Sequence, residues 1–212
     1  MPGRGVEKRG RKPDAALAAR RHDEILDAAT GWFAEHGYAD TDLEEVAAAL
    51  GVGKGTIYRY FPTKEKLFFA AVDRVMRRVL EEVNAGAAKL KDPLQLISAA
   101  IRLHLRFFAR HPEAVELLIQ ERAQFRDRPK PTYFVYQDAN IGPWTALLRQ
   151  LMSAGRVRRI PMSRIVSVVG DLLYGTIFTS HFARRRTNLE TQTRDVLDIA
   201  FNGMLARREP AR

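Results

Sequence analysis

The stretch from Leu43 to Phe61 limits the fold of this chain more than any other. Leu43, Val46, Ala47 and Leu50 recur at helical spacing and form one apolar stripe. Thr41 and Glu44, just ahead, fit a Ser/Thr-x-x-Glu capping box, which satisfies orphan amides at a helix start. Gly51 stands where a left-handed residue is wanted to stop that helix. After Val52 and Gly53 the pattern predicts a second short helix from Lys54, with Ile57 and Phe61 facing inward. So tight a connection suits two helices crossing at a steep angle, and Ala47 must be small where the second passes over it. The outer face of the second helix carries Lys54, Thr56, Tyr58, Arg59 and Tyr60. It is short, polar and rich in donors, which suits a DNA major groove. The same spacing also fits a plain amphipathic hairpin inside an all-helical core.

The wider run distinguishes the two. Ala47, Gly51, Val52, Gly55, Thr56, Ile57, Tyr58, Tyr60, Phe61, Lys64 and Leu67 match the spacing A-x-x-x-G-V-S-x-G-T-[LI]-Y-x-[HY]-F-x-[SN]-K-x-x-L. This pattern resembles the DNA-binding signature of the TetR family of bacterial repressors. The likeness is specific from about Arg21 to Ala71 and architectural beyond. It implies a DNA-facing set of Thr41, Lys54, Gly55, Thr56, Tyr58, Arg59, Tyr60 and Lys64, with Lys64 on a phosphate. Two residues depart from the pattern. Gly53 replaces the usual serine cap, at a cost of a few tenths of a kcal/mol. Asp42 replaces the usual Thr or Ser; as a cap it suits the helix dipole but repels a nearby phosphate.

Charge is unevenly spread. Residues 1–22 hold seven basic against two acidic residues, residues 23–84 seven against twelve, and residues 85–212 twenty-one against eleven. The expected DNA-binding unit is therefore net acidic, although the whole chain is +10. The case for DNA rests on local pattern: within Val52 to Lys66, four basic residues face only Glu65. Asp23, Glu24 and Asp27 are expected on the solvent side of the first helix. With no cysteine, disulfides, thiolate metal sites and cysteine nucleophiles are excluded. No uninterrupted apolar run reaches the roughly 20 residues of a membrane helix, and the basic N-terminus lacks a secretory pattern, so a cytoplasmic protein is expected.

Three segments follow from the patterning. Residues 1–19 are read as a flexible basic arm. Its Arg9, Arg11 and Lys12, beside Gly10 and Pro13, suit either a narrow minor groove or a solubilising tail. Residues 20–84 are read as the helix-turn-helix unit with its connecting helix. The first helix is expected from Arg20 to His36, ended by Gly37, and the connecting helix opens on Pro62 at its first position. Residues 85–212 are read as a larger helical domain for regulation and dimerisation. Within it, Leu94 to Arg110 is apolar on more than one side and should be central. The fold class is all-α.

A second site is expected in that domain, because the resemblance implies a small effector. Its candidate lining is His104, Phe107, Phe108, Tyr133, Tyr136, Trp144, Tyr174, Phe178 and His181, an aromatic set suited to a hydrophobic or flat ligand or simply to core packing. The last two helices are more apolar than one core needs. The resemblance implies an isologous homodimer through Ile165, Val169, Leu172, Leu173, Thr176, Val196, Ala200 and Met204. Asp171 is read as a buried carboxylate needing a partner; Glu116, Glu121 and Arg122 are read as surface or intrahelical charges. No catalytic motif, cofactor motif or metal-ligand spacing is present, so neither enzyme activity nor a bound metal is expected. These readings converge on a sequence-specific transcriptional regulator, a repressor released from a palindromic double-stranded operator by a small molecule. The alternative is a helical small-molecule-binding protein with weak or non-specific DNA binding.

Overall fold

A computed structural model describes residues 15–183 and 189–203, and among these residues it is built of helices and turns alone. The helices are α1 (Ala15–Asp40), α2 (Leu43–Ala49), α3 (Lys54–Tyr60), α4 (Lys64–Ala87), α5 (Pro93–Arg110), α6 (Pro112–Gln124), α7 (Thr132–Ser153), α8 (Met162–Phe182) and α9 (Leu189–Asn202). Helices α1 to α4 form the N-terminal unit. Helix α5 is the centre of the remainder and packs against α4, α6, α7, α8 and α9. One hydrophobic cluster runs from Ile25 to Val196 and joins the two parts without a break.

Helix α1 begins five residues before the expected start. Ala15, Ala16, Ala18 and Ala19 extend it because alanine favours helix without needing burial; this takes Ala15 to Ala19 out of the expected flexible arm. Gly37 breaks it with φ +87°, and a last turn runs on to Asp40. Asp23 and Asp27 are not solvated bystanders. Both take hydrogen bonds from the Arg74 guanidinium of α4, at 2.6 and 3.1 Å, while Glu24 pairs with Arg20 and Arg21 on its own helix.

Two predicted helix starts move, that of α2 by one residue and that of α4 by two. Thr41 is not the cap of α2: Asp42 is, accepting the Glu44 amide at 2.8 Å. The Thr41 hydroxyl instead donates to the Gly37 and Trp32 carbonyls at 2.6 and 3.2 Å, which ties off the open end of α1. Pro62 does not open α4; Thr63 caps it by accepting the Lys66 amide at 3.1 Å. Gly51 does take the left-handed turn, at φ +64°. Helix α4 runs on to Ala87, past the expected boundary at residue 84, and Gly86 near its end lets Leu103 of α5 press against its backbone; a Cβ there would lie 2.5 Å from a Leu103 methyl.

In the C-terminal part, Asp92 caps α5 through the Leu94 and Gln95 amides, with Pro93 in the first turn. Glu121 is a deeply buried carboxylate rather than a surface charge, at 1% exposure. It accepts from the Thr132 amide at 2.9 Å, the Thr132 hydroxyl at 2.7 Å and Arg128 at 2.9 Å, and so caps α7 from α6. Asp171 is exposed rather than buried, with Ser167 donating to it at 3.5 Å. By length and composition α8 alone among the described helices could cross a membrane, at mean hydropathy 1.3, although Arg164 and Asp171 interrupt its apolar run.

Candidate functional site

Helices α2 and α3 lie on a floor made by α1 and α4. Ile25, Leu26, Ala29 and Phe33 of α1 meet Val46, Ala47, Ile57, Phe61, Leu67 and Phe68 in one cluster, all close to fully buried. Phe33, Tyr38 and Phe68 pack edge to face and stacked, with ring centroids 5.1–6.0 Å apart. With only Ile57 and the following Phe61 pinned below it, α3 turns its remaining residues outward. Gly55, Tyr58 and Arg59 are exposed; Lys54, Thr56 and Tyr60 are half-buried. The Arg59 guanidinium lies 5.5 Å from the Tyr60 ring, and His22 of α1 packs against Tyr60 and Phe61 from behind.

The expected cations differ in freedom. Arg59 has no carboxylate partner among the described residues. Lys54 is paired with Glu44 at 3.3 Å and Asp42 at 3.7 Å, and these carboxylates, Glu44 first, raise its pKa. Lys64 points back into the fold. Its ammonium donates to the Ala39 carbonyl at 2.9 Å and lies 5.0 Å from the Tyr38 ring; desolvation lowers its pKa. Thr41 is 3% exposed with its hydroxyl committed, so it leaves the outward face. Arg9, Arg11 and Lys12 lie outside the described residues. Sequence reasoning missed Thr63 and His22. The Phe-Pro-Thr run before a charged helix start was the available signal for Thr63; His22 had none.

The expected effector residues divide into groups. His104, Phe108, Tyr133, Tyr174 and Phe178 form a chain of ring contacts from α5 through α7 to α8, with neighbouring centroids 4.2–6.3 Å apart. His104 and the Tyr133 hydroxyl are 3.2 Å apart, and burial pushes the imidazole down to about 4, so it is neutral near pH 7. Burial also raises Tyr133. Phe107 packs on the other side, against His111 and Arg78. Tyr136 stands apart, with its hydroxyl on Asp73 of α4; burial and then that carboxylate push it up to about 12. Trp144 packs at the edge of the core. His181 is bonded to Glu116 of α6 at 2.6 Å, which also places Glu116 in an interhelical contact. Two open hollows, of about 630 and 650 Å³, flank α5 elsewhere, and none of the nine residues lines them.

Of the expected dimer residues, Ile165, Val169, Leu172, Leu173 and Thr176 are half-buried on α8 and Ala200 is exposed on α9. Val196 is buried within the protomer, because α9 turns it toward α5, and so leaves the expected seam. Met204 lies outside the described residues, as do Arg184 to Arg186 and Thr187. Val168, Phe182, Ile199 and Phe201 are large apolar side chains left in water on these helices, at 59%, 65%, 46% and 43% exposure. Val168 lies one helical turn before Leu172, in the same apolar stripe by spacing, yet it stands in water.

Residues 25–71 match the model of the family described as bacterial regulatory proteins, tetR family. Over 177 residues the chain is 32% identical to the HTH-type transcriptional repressor NicS of Pseudomonas putida, covering 82% of this chain and 81% of that protein. This chain belongs to the TetR family. Nucleoid occlusion factor SlmA of Actinobacillus pleuropneumoniae is 28% identical over 108 residues, 50% of this chain and 54% of that protein; the chain thus spans about half the length of the SlmA relatives it matches. Among solved structures, the fatty acid degradation regulator FadR of Bacillus halodurans superimposes with a TM-score of 0.75 at 18% identity, covering 88% of this chain and 97% of that one. FadR of Bacillus subtilis in complex with stearoyl-CoA does so at 0.69 and 18%, covering 87% and 100%. At these identities the likeness is one of TetR-like fold.

Proposed function

We propose that this TetR-family regulator is a homodimeric, cytoplasmic repressor that binds a near-palindromic operator and leaves it when a small hydrophobic or aromatic molecule binds. The observation that carries the reading is α3: a helix pinned by Ile57 and Phe61 and presenting Tyr58 and Arg59 outward. Arg59 is the base reader, since a guanidinium can pair bidentately with guanine. Tyr58, Tyr60 and Thr56 set register on the phosphates. Arg9, Arg11 and Lys12 reach an adjacent minor groove. Residues 20–84 act as the DNA-binding domain and residues 85–212 as the regulatory and dimerisation domain. The exposed apolar side chains of α8 and α9 support a symmetric pairing of those helices. The aromatic chain from His104 to Phe178 supports an apolar effector, and stearoyl-CoA bound to a FadR of like fold is consistent with one. The ligand acts by population shift: it fits one spacing of the two α3 helices better than the other and, by reciprocity, weakens the operator complex.

The test is selection of the full-length protein against randomised duplex DNA at moderate and high salt. Enrichment of a palindrome is the expected result. Arg59→Ala should then cost about 1–3 kcal/mol on the enriched site and relax its sequence preference. Salt-sensitive binding with no enrichment would favour a ligand-binding protein with non-specific DNA affinity, a reading that the tied Lys54 and Lys64 motivate.

A further inference from the structure

Three charged groups meet where α2 and α3 begin. Asp42 is fixed in place as the cap of α2 by its bond to the Glu44 amide. Glu44 lies in the first turn of α2, with a side chain 73% exposed. Lys54, the first residue of α3, reaches across to both, its ammonium 3.3 Å from Glu44 and 3.7 Å from Asp42. Glu45 adds a third exposed carboxylate to the same turn. Lys64 is held by the Ala39 carbonyl. The outward face of the helix-turn-helix therefore offers few cations that are not already engaged by the protein.

Non-specific affinity for duplex DNA comes from cations that neutralise phosphates and release counterions. A lysine already shared by two carboxylates adds little: it must either leave them or bring them toward the phosphates, where like charges repel. Base-edge contacts from Arg59 bear no such penalty. We propose that Asp42 and Glu44 hold Lys54 back from the phosphate backbone, so that this regulator binds unrelated DNA poorly and gains specificity by weakening the wrong complexes rather than by strengthening the right one. The inference rests on the DNA-binding reading above. It assigns Asp42 and Glu44, acidic residues on a DNA-facing surface, the role of specificity determinants.

Four full-length proteins test it: the natural chain, the pair Asp42→Asn with Glu44→Gln, the single Lys54→Gln, and the triple variant. Asparagine keeps the capping acceptor, and unchanged helical circular dichroism checks the fold. Binding is measured by titration across a salt series on the selected operator and on a random duplex of equal length. The paired variant should bind random duplex roughly tenfold tighter at low salt, with a salt slope steeper by about one. Its gain on the operator should be smaller, so the specificity ratio falls. The gain should vanish in the triple variant. An equal gain in the triple variant would overturn the proposal, because simple repulsion would then suffice. So would unchanged random-duplex affinity in the paired variant while the natural chain still binds its operator. If the natural chain binds no duplex at all, the DNA-binding reading fails first and the proposal goes with it.

Discussion

Helices α3 and α8 are both half covered by their own protomer, yet they leave opposite kinds of surface in water. Seven-residue α3 buries Ile57 and turns Tyr58, Arg59 and Gly55 outward. Twenty-one-residue α8 buries only Ile177 fully and leaves Val168 and Phe182 exposed. A polar face is stable in water, so its partner can come and go. An apolar face is not: full burial of one such side chain is worth roughly 1.5–3 kcal/mol, which favours a lasting protein partner. The two faces thus suit a transient contact at one end of the molecule and a constitutive one at the other.

The largest effect should come from the floor of α3. Ile57→Ala should lower the free energy of unfolding by about 3 kcal/mol, read from urea denaturation. A loss of only a few tenths would mean that α3 is not anchored as described, and the comparison would collapse on that side. Next comes the layer beneath α8. His104 is neutral in the fold with a pKa of about 4, below its ordinary value, so the unfolded chain takes up the proton first. Its contribution is complete above about pH 6.5 and is lost as the pH falls toward 4, roughly 2–3 kcal/mol between pH 7 and 4.5. His104→Gln should remove that component from the pH dependence of unfolding; an unaltered profile would place the titration elsewhere.

Val168→Arg probes the outward face of α8 directly. Sedimentation should show self-association weakened about tenfold, or about 1.4 kcal/mol, with helical content unchanged. A dimer of undiminished strength would move the seam away from this face. The smallest effect is expected at Lys64→Met. Because the ammonium holds the Ala39 carbonyl, stability should drop by less than about 1 kcal/mol, and the salt slope of DNA binding should stay put. A slope shallower by about one would return Lys64 to the phosphates.

Legibility in the sequence followed the source of each constraint. Turns set by backbone rules were readable: Gly51 where α2 stops and Gly53 ahead of α3. So was the central place of α5, whose apolar residues are not confined to one side. What escaped were side chains whose partners come from distant segments. Asp23 and Asp27 read as solvated until Arg74 crosses from α4. Glu121 read as a surface charge because its partners, Arg128 and Thr132, sit in and just past a proline-bearing loop. Lys64 matched the family pattern, yet its reach to Ala39 depends on where α1 ends. Periodicity shows which face of a helix is apolar, and it does not show whether that face meets the same chain, as at Val196, or water, as at Val168.

Phe125 stands just past α6 but belongs in space to the N-terminal unit, its ring 4.6–5.6 Å from those of Tyr38, Phe68 and Phe69. Gln120 reinforces it by donating to the Phe33 carbonyl at 2.7 Å. Transplanting this reading head onto another regulator by a cut after α4 would therefore leave part of its core behind. A working graft would have to carry a matching α6 and Phe125 with it. Exchange of operator preference between relatives is thus easier through outward substitutions on α3 than through wholesale shuffling of domains.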